Sequence, residues 1–191
     1  MKSKKSLWIA LAVVAVVVIA AVGWIMSTYN GLVETREQVT AQQANVQSQL
    51  QRRADLIPNL VSTVQAYATH EEEVYTALAD ARAALAGAST VDELNAANSA
   101  LDSALSRLLV VVENYPELQA SQNFINLQDE LAGTENRIVQ ARNTYNDMAR
   151  EYNTRIQRFP SSLIASIGNF EQVDYFEASE ESQTVPEVSF D

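Results

Sequence analysis

The residues most able to do chemistry in this chain are one histidine, a surplus of carboxylates and a few charges set among apolar positions. His70-Glu71 opens like the H-E-x-x-H zinc motif, but the second histidine position holds Val74. Tyr67 stands where a Glu-x-x-His di-iron pair would need its carboxylate. Cysteine is absent and His70 is the only histidine, which excludes thiolate sites, disulfides and multi-histidine metal sites within one chain. No Gly-rich phosphate loop, G-x-S-x-G elbow or EF-hand loop occurs. With 24 acids in the chain, no pair is singled out for acid/base work, and the run Glu71-Glu72-Glu73 reads as a solvated face. No catalytic, cofactor-binding or metal-binding residue is therefore expected.

Three polar features stand out. Arg36, Arg53, Glu71 and Arg155 fall in otherwise apolar seams, where a charge must pair across helices or stay wet. The pair Tyr-Asn recurs at Tyr29-Asn30, Tyr145-Asn146 and Tyr152-Asn153, the last two one heptad apart. Packing explains it first, an interaction groove second. Thr134-Glu135-Asn136-Arg137 follows Gly133 as a dense polar patch, either a cap restarting a kinked helix or an interhelical network. The candidate interaction residues are Arg53, Asp55, Asn59, Glu71, Glu135, Asn136, Arg137, Tyr145 and Tyr152.

These residues need long helices to position them. Five Gly, four Pro and 7% aromatic residues suit an all-α chain. Leu7–Met26 is an uncharged apolar run, about 30 Å long as a helix, with Trp8 and Trp24 near its ends. It predicts a membrane anchor. A cleaved signal peptide, with Ala21-Val22-Gly23 as the cleavage site, is the competing reading, and the length of the run argues against it.

Beyond the span, apolar residues recur every three or four positions. The seams are Leu32, Val39, Val46, Leu50; then Ile57 to Leu85, including Tyr67; then Leu94 to Tyr115; then Phe124 to Phe159. Asp55 is placed as a helix cap with Pro58 in the first turn, Thr90 or Asp92 as the next cap, and Pro116 and Pro160 as stops. The pattern predicts helices near 29–54, 56–86, 92–114 and 117–158, with His70 on a solvated helix face. Short connections make neighbours antiparallel, so an up-and-down four-helix bundle is expected. The unbroken register from Leu32 to Val74 also suits a single helix kinked at Pro58. The expected organisation is a Lys-rich N-terminus (1–6), a transmembrane helix (7–26), a bundle (29–168), an extension (169–177) and a disordered acidic tail (178–191).

Charge divides along the same line. The three lysines are Lys2, Lys4 and Lys5; from Leu7 onward ten Arg face 24 acids, a net −14. Such a domain repels nucleic acid and anionic head groups. The lysines before the span place the N-terminus in the cytoplasm and the bundle outside it.

The ordered set Gln51-Arg52-Arg53-Ala54-Asp55-Leu56-Ile57-Pro58-Asn59-Leu60, Tyr67-Ala68-Thr69-His70-Glu71, Glu113-Asn114-Tyr115-Pro116, Leu127-Gln128-Asp129-Glu130-Leu131-Ala132-Gly133-Thr134-Glu135-Asn136-Arg137-Ile138 and Tyr175-Phe176-Glu177 resembles the LemA family of bacterial membrane proteins. The resemblance implies a membrane anchor and an antiparallel helical bundle. It carries no enzymatic activity, cofactor or catalytic residue. The expected role is a non-enzymatic scaffold or interaction protein of the cell envelope. Its partners would be the bilayer through 7–26, membrane or envelope proteins and possible further copies of the chain, with no nucleic acid. An extracytoplasmic ligand sensor and an acidic-site hydrolase are the alternatives.

Overall fold

The computed structural model describes residues 2–177, and side chains from Leu7 onward. The acidic tail and the lysine side chains at 2, 4 and 5 lie outside those bounds. All secondary structure among the described residues is helical: α1 (Lys2–Gln65), α2 (Glu72–Gly87), α3 (Val91–Val112), α4 (Pro116–Gln119), α5 (Gln122–Gln157) and α6 (Ser161–Ile167). The chain divides into two compact units, Met1–Thr40 with Met148–Val173, and Ala41–Asp147 with Asp174–Asp191.

In the first unit α1 begins with the apolar run, the one stretch among the described residues long and apolar enough to cross a membrane. Its side chains face outward, Trp8 at 73% and Ile19 at 71% exposure. Further along α1, Leu32, Thr35 and Val39 are buried, as are Ala149, Tyr152 and Ile156 of α5 and Ile164 and Ala165 of α6. Arg155 is not a core residue. It is half exposed and reaches Thr35 Oγ1 at 2.5 Å. Phe159 is exposed as well, so the predicted seam holds only to Tyr152, and Ile156, outside that seam, takes the last buried position of α5. Pro160 cannot extend α5; Gly168 follows the last turn of α6, its N–H donating to the Ile164 carbonyl at 2.9 Å. A Cβ at Gly168 would stand 2.6 Å from the Phe170 ring, which packs edge-on to Tyr29 at 5.4 Å between centroids.

The second unit contains the rest of α1, with α2, α3, α4 and the first part of α5. Its core follows the predicted seams at Val46, Leu50, Ile57, Leu60 and Val64; Leu78 and Leu85; Leu94, Leu101 and Leu108; Phe124, Ile138 and Tyr145, while Val74, Val111, Tyr115, Leu127 and Leu131 of the same seams are only partly buried. Thr90 caps α3 in a capping box with Glu93, whose carboxylate accepts from the Ser89 and Thr90 N–H groups at 2.8 and 3.1 Å. Those backbone bonds, Ser89 first, hold the Glu93 carboxyl below its ordinary range.

The helix bounds correct the expected set. No turn occurs at Arg53–Pro58: α1 runs through Pro58 to Gln65, and Asp55 caps nothing. Pro58 faces solvent while Ile57 and Leu60 beside it are buried, so the ring meets water rather than core. The break falls instead at 66–71, which places His70 in an exposed turn, not on a helix. Tyr67 is half exposed there, and Ala68 takes the buried position, its carbonyl accepting the Tyr75 hydroxyl at 2.5 Å. α5 is unbroken across Gly133 and Thr134, so no cap restarts it.

A proline inside a helix loses a hydrogen bond, at about 3 kcal/mol relative to alanine, and recovers up to about 1 through a stiffer unfolded chain. Pro58→Ala should therefore raise stability by about 2 kcal/mol in denaturant melts followed by circular dichroism. An unchanged or lowered midpoint would mean that Pro58 opens a helix instead of interrupting one.

Candidate functional site

The site is built on a cation in a leucine seam. Along α1 the buried positions run Val46, Leu50, Arg53, Ile57, Leu60 and Val64, steps of three and four that put Arg53 on the core face. Its side chain is only 9% exposed. Nη2 lies 2.6 Å from Asp102 Oδ1, and Nη1 donates to Asn98 Oδ1 at 3.2 Å. Nη1 also lies 2.8 Å from Glu135 Oε2, at an angle that makes this an ion pair rather than an aligned hydrogen bond. Asn98 Nδ2 donates to Asp102 Oδ2 at 2.8 Å, which fixes that carboxylate from behind. Asp102 and Asn98 stand one turn apart on α3, and Glu135 stands on α5. One guanidinium thus ties three helices of the second unit together.

Such a pair stays buried only because several bonds share the cost of removing the charge from water. Coverage is incomplete: Arg53 Nε is buried with no hydrogen-bond partner, while the Asp102 and Glu135 side chains remain 35% and 41% exposed. Arg142 also feels the pull of Glu135 and Asp102, so two guanidinia face two carboxylates and the charges of the node balance. Arg53, Asp102 and Glu135 also line a cleft of about 360 Å³ whose remaining wall is mostly apolar, including Leu60, Leu105, Leu108 and Leu131. The node can hold helices in register and offer a leucine-backed recess with charged groups on one wall. Among the described residues no group of three or more His, Cys, Asp or Glu is placed to hold a metal ion.

A second set of contacts uses the Tyr-Asn pairs. In the second unit, Asn146 Nδ2 donates to the Phe176 carbonyl at 2.8 Å and Asn146 Oδ1 accepts the Phe176 N–H at 2.9 Å. In the first unit Asn153 makes the same two bonds to Val173, at 2.8 and 3.0 Å. Tyr145 packs edge-on to Phe176, centroids 4.9 Å apart, and donates its hydroxyl to the Asp174 carbonyl at 3.0 Å. Burial, then the Asp174 and Tyr175 charges, push Tyr145 up to about 12. Arg142 lies 5.4 Å from the centre of the same Phe176 ring. Burial holds its guanidinium below the ordinary value, against the opposing pull of Glu135 and Asp102.

Of the nine candidates, the structure brings Arg53 and Glu135 together. Asp55 and Asn59 are exposed, Asp55 accepting only from Gln51 at 2.9 Å. Glu71 precedes α2 and offers its carbonyl to Val74 and Tyr75. Asn136 and Arg137 point to solvent, Arg137 at 3.9 Å from Glu130. Tyr145 is buried in the second unit. Tyr152 is buried in the first, its hydroxyl without a hydrogen-bond partner among the described residues. Sequence reasoning missed Asn98, Asp102 and Arg142 as members. Asn98 carried a signal, because Leu94, Asn98, Leu101 and Leu105 step by four, three and four along one face.

An all-helical chain with one exposed apolar N-terminal stretch and a buried arginine node defines a class of helical protein with a candidate membrane segment. The chain belongs to the LemA family, whose profile matches residues 42–190. It is 26% identical to magnetosome protein MamQ of Magnetospirillum gryphiswaldense, across 87% of this chain and 71% of that one. It is 28% identical to magnetosome protein MamQ 2 of Paramagnetospirillum magneticum, across 88% and 72%. Protein LemA of Metamycoplasma hominis is 24% identical, across 79% and 69%.

Arg53→Ala leaves two partly buried carboxylates without their cation; with both a third or more exposed, the loss should lie near the low end for buried pairs, about 3 kcal/mol. The exposed pair Arg52–Glu130, 2.7 Å apart, is worth under about 1 kcal/mol, so Arg52→Ala should scarcely shift the midpoint. Equal losses in the two denaturation curves would contradict this. Because the folded Tyr145 value exceeds the unfolded one, its share of stability is complete below about pH 10 and is lost as pH rises towards 12. Burial raises Tyr75 and Tyr152 too, so absorbance titration at alkaline pH should show a late-titrating fraction that Tyr145→Phe reduces.

Proposed function

We propose that this LemA-family chain is a non-enzymatic, membrane-anchored helical module of the bacterial envelope that acts by binding other proteins. In this reading the apolar start of α1 is a single-pass anchor, the lysines at 2, 4 and 5 keep the N-terminus cytoplasmic, and the remaining helices form an antiparallel bundle outside the cytoplasm. The observation that carries it is the Arg53 node. Asp102 and Glu135 both pair with a guanidinium that holds three helices, which is the work of a rigid scaffold rather than of a free acid or base. The fully exposed apolar stretch supports the anchor, and the names of the relatives include magnetosome proteins. Homo-oligomers fit the same reading.

A ligand-sensing role has one observation in its favour, the leucine-walled cleft of about 360 Å³ beside the node. Proximity labelling in native cells separates the two readings. A labelling enzyme fused to the full chain should enrich a set of envelope proteins that an anchor-only control does not. Identical protein sets from both fusions would contradict a binding role for the bundle.

A further inference from the structure

The first unit exposes an apolar patch that the core does not use. Leu163 is 57% and Ile167 85% exposed one turn apart on α6, and Phe159, 77% exposed, lies in the turn just before that helix, while Ile164 and Ala165 of α6 point into the core. α6 carries no charged residue. A patch of this kind on a soluble surface marks a contact site. Its level along α1 is set at both ends of α6: Pro160 and Ser161 share one cleft with Trp24, Ser27, Thr28 and Gly31, and Phe170, just past α6, packs on Tyr29. Ser27 to Gly31 rise only about 2–8 Å past Met26, the end of the apolar run. The head-group layer of a bilayer is about 5–8 Å thick on each side. The patch therefore lies at head-group depth if the apolar run spans the bilayer. Arg155 and Arg158 adjoin it as exposed cations at the end of α5, with Glu151 3.9 Å from Arg155 as the opposing acid.

We infer that Phe159, Leu163 and Ile167 form a second membrane contact, seated at the head-group boundary of the bilayer that the α1 anchor crosses. It rests on the anchor reading and adds to it. Because α1 is continuous, an anchor alone leaves the first unit to tilt and rotate with the span. A second apolar contact fixes its tilt and rotation relative to the bilayer surface.

The absence of native cysteine makes the test direct. Single cysteines at Leu163, Ile167, Val16 and Glu37 of the full chain are labelled with an environment-sensitive nitrobenzoxadiazole dye. The protein is then reconstituted in phosphatidylcholine–phosphatidylglycerol vesicles with and without spin-labelled lipid. Labels at Leu163 and Ile167 should emit blue-shifted and be quenched about twofold by the lipid spin label, as a partly inserted group is. The Val16 label should be quenched more strongly, and the Glu37 label, about 20 Å along α1 from Trp24, should not be quenched. Quenching at Val16 with none at Leu163 and Ile167 overturns the second contact and leaves the anchor standing. A blue shift at Leu163 without lipid quenching assigns the patch to a protein neighbour and overturns it too. No quenching at Val16 overturns the anchor itself.

Discussion

A single buried guanidinium sets the terms for the second unit. Arg53 occupies a position where the seam of α1 calls for an apolar side chain, and the surrounding helices answer with Asp102, Asn98 and Glu135. An apolar residue there would tolerate a shift of one helix along another, because leucine packing is forgiving. A charge that must meet three fixed partners does not. Register-setting is the best-attested use of such buried pairs, usually at some cost in stability. Arg53, Asp102 and Glu135 form one wall of a leucine-lined cleft, so the feature that aligns the helices also shapes the recess.

The returning C-terminal segment adds a second layer of specificity. Asn146 and Asn153 each satisfy both backbone groups of one residue, Phe176 and Val173, replacing the strand partner that an isolated extended segment lacks. Phe176 then brings its ring against Tyr145 and the Arg142 guanidinium. The segment is thereby held by side chains of α5 rather than by a sheet.

Much of this was legible in the sequence because the core is periodic. The seams through Leu50, Leu78, Leu101 and Ile138 all point inward as their spacing requires. The misreadings concern local signals weighed against distant packing. Pro58 marks a helix start by its own chemistry, yet the helix continues because Ile57, Leu60 and Val64 bury the opposite face. The real break at 66–71 contains neither Gly nor Pro and so carried no warning. Arg53 announced itself as a misplaced charge, but its partners on α3 could not be named from a chain that holds 24 acids. The Tyr-Asn recurrence was visible as a pattern; what it holds was not, since that depends on where residues 173–176 return.

Arg53 is coupled to its carboxylate partners strongly enough to define how α1, α3 and α5 meet in the second unit. A double-mutant cycle between Arg53→Met and Asp102→Leu, read from urea unfolding of the full chain in detergent micelles, measures that coupling directly. An interaction energy of about 2 kcal/mol or more is expected, as for residues sharing one buried network. Additive losses, with a coupling below about 0.5 kcal/mol, would contradict it.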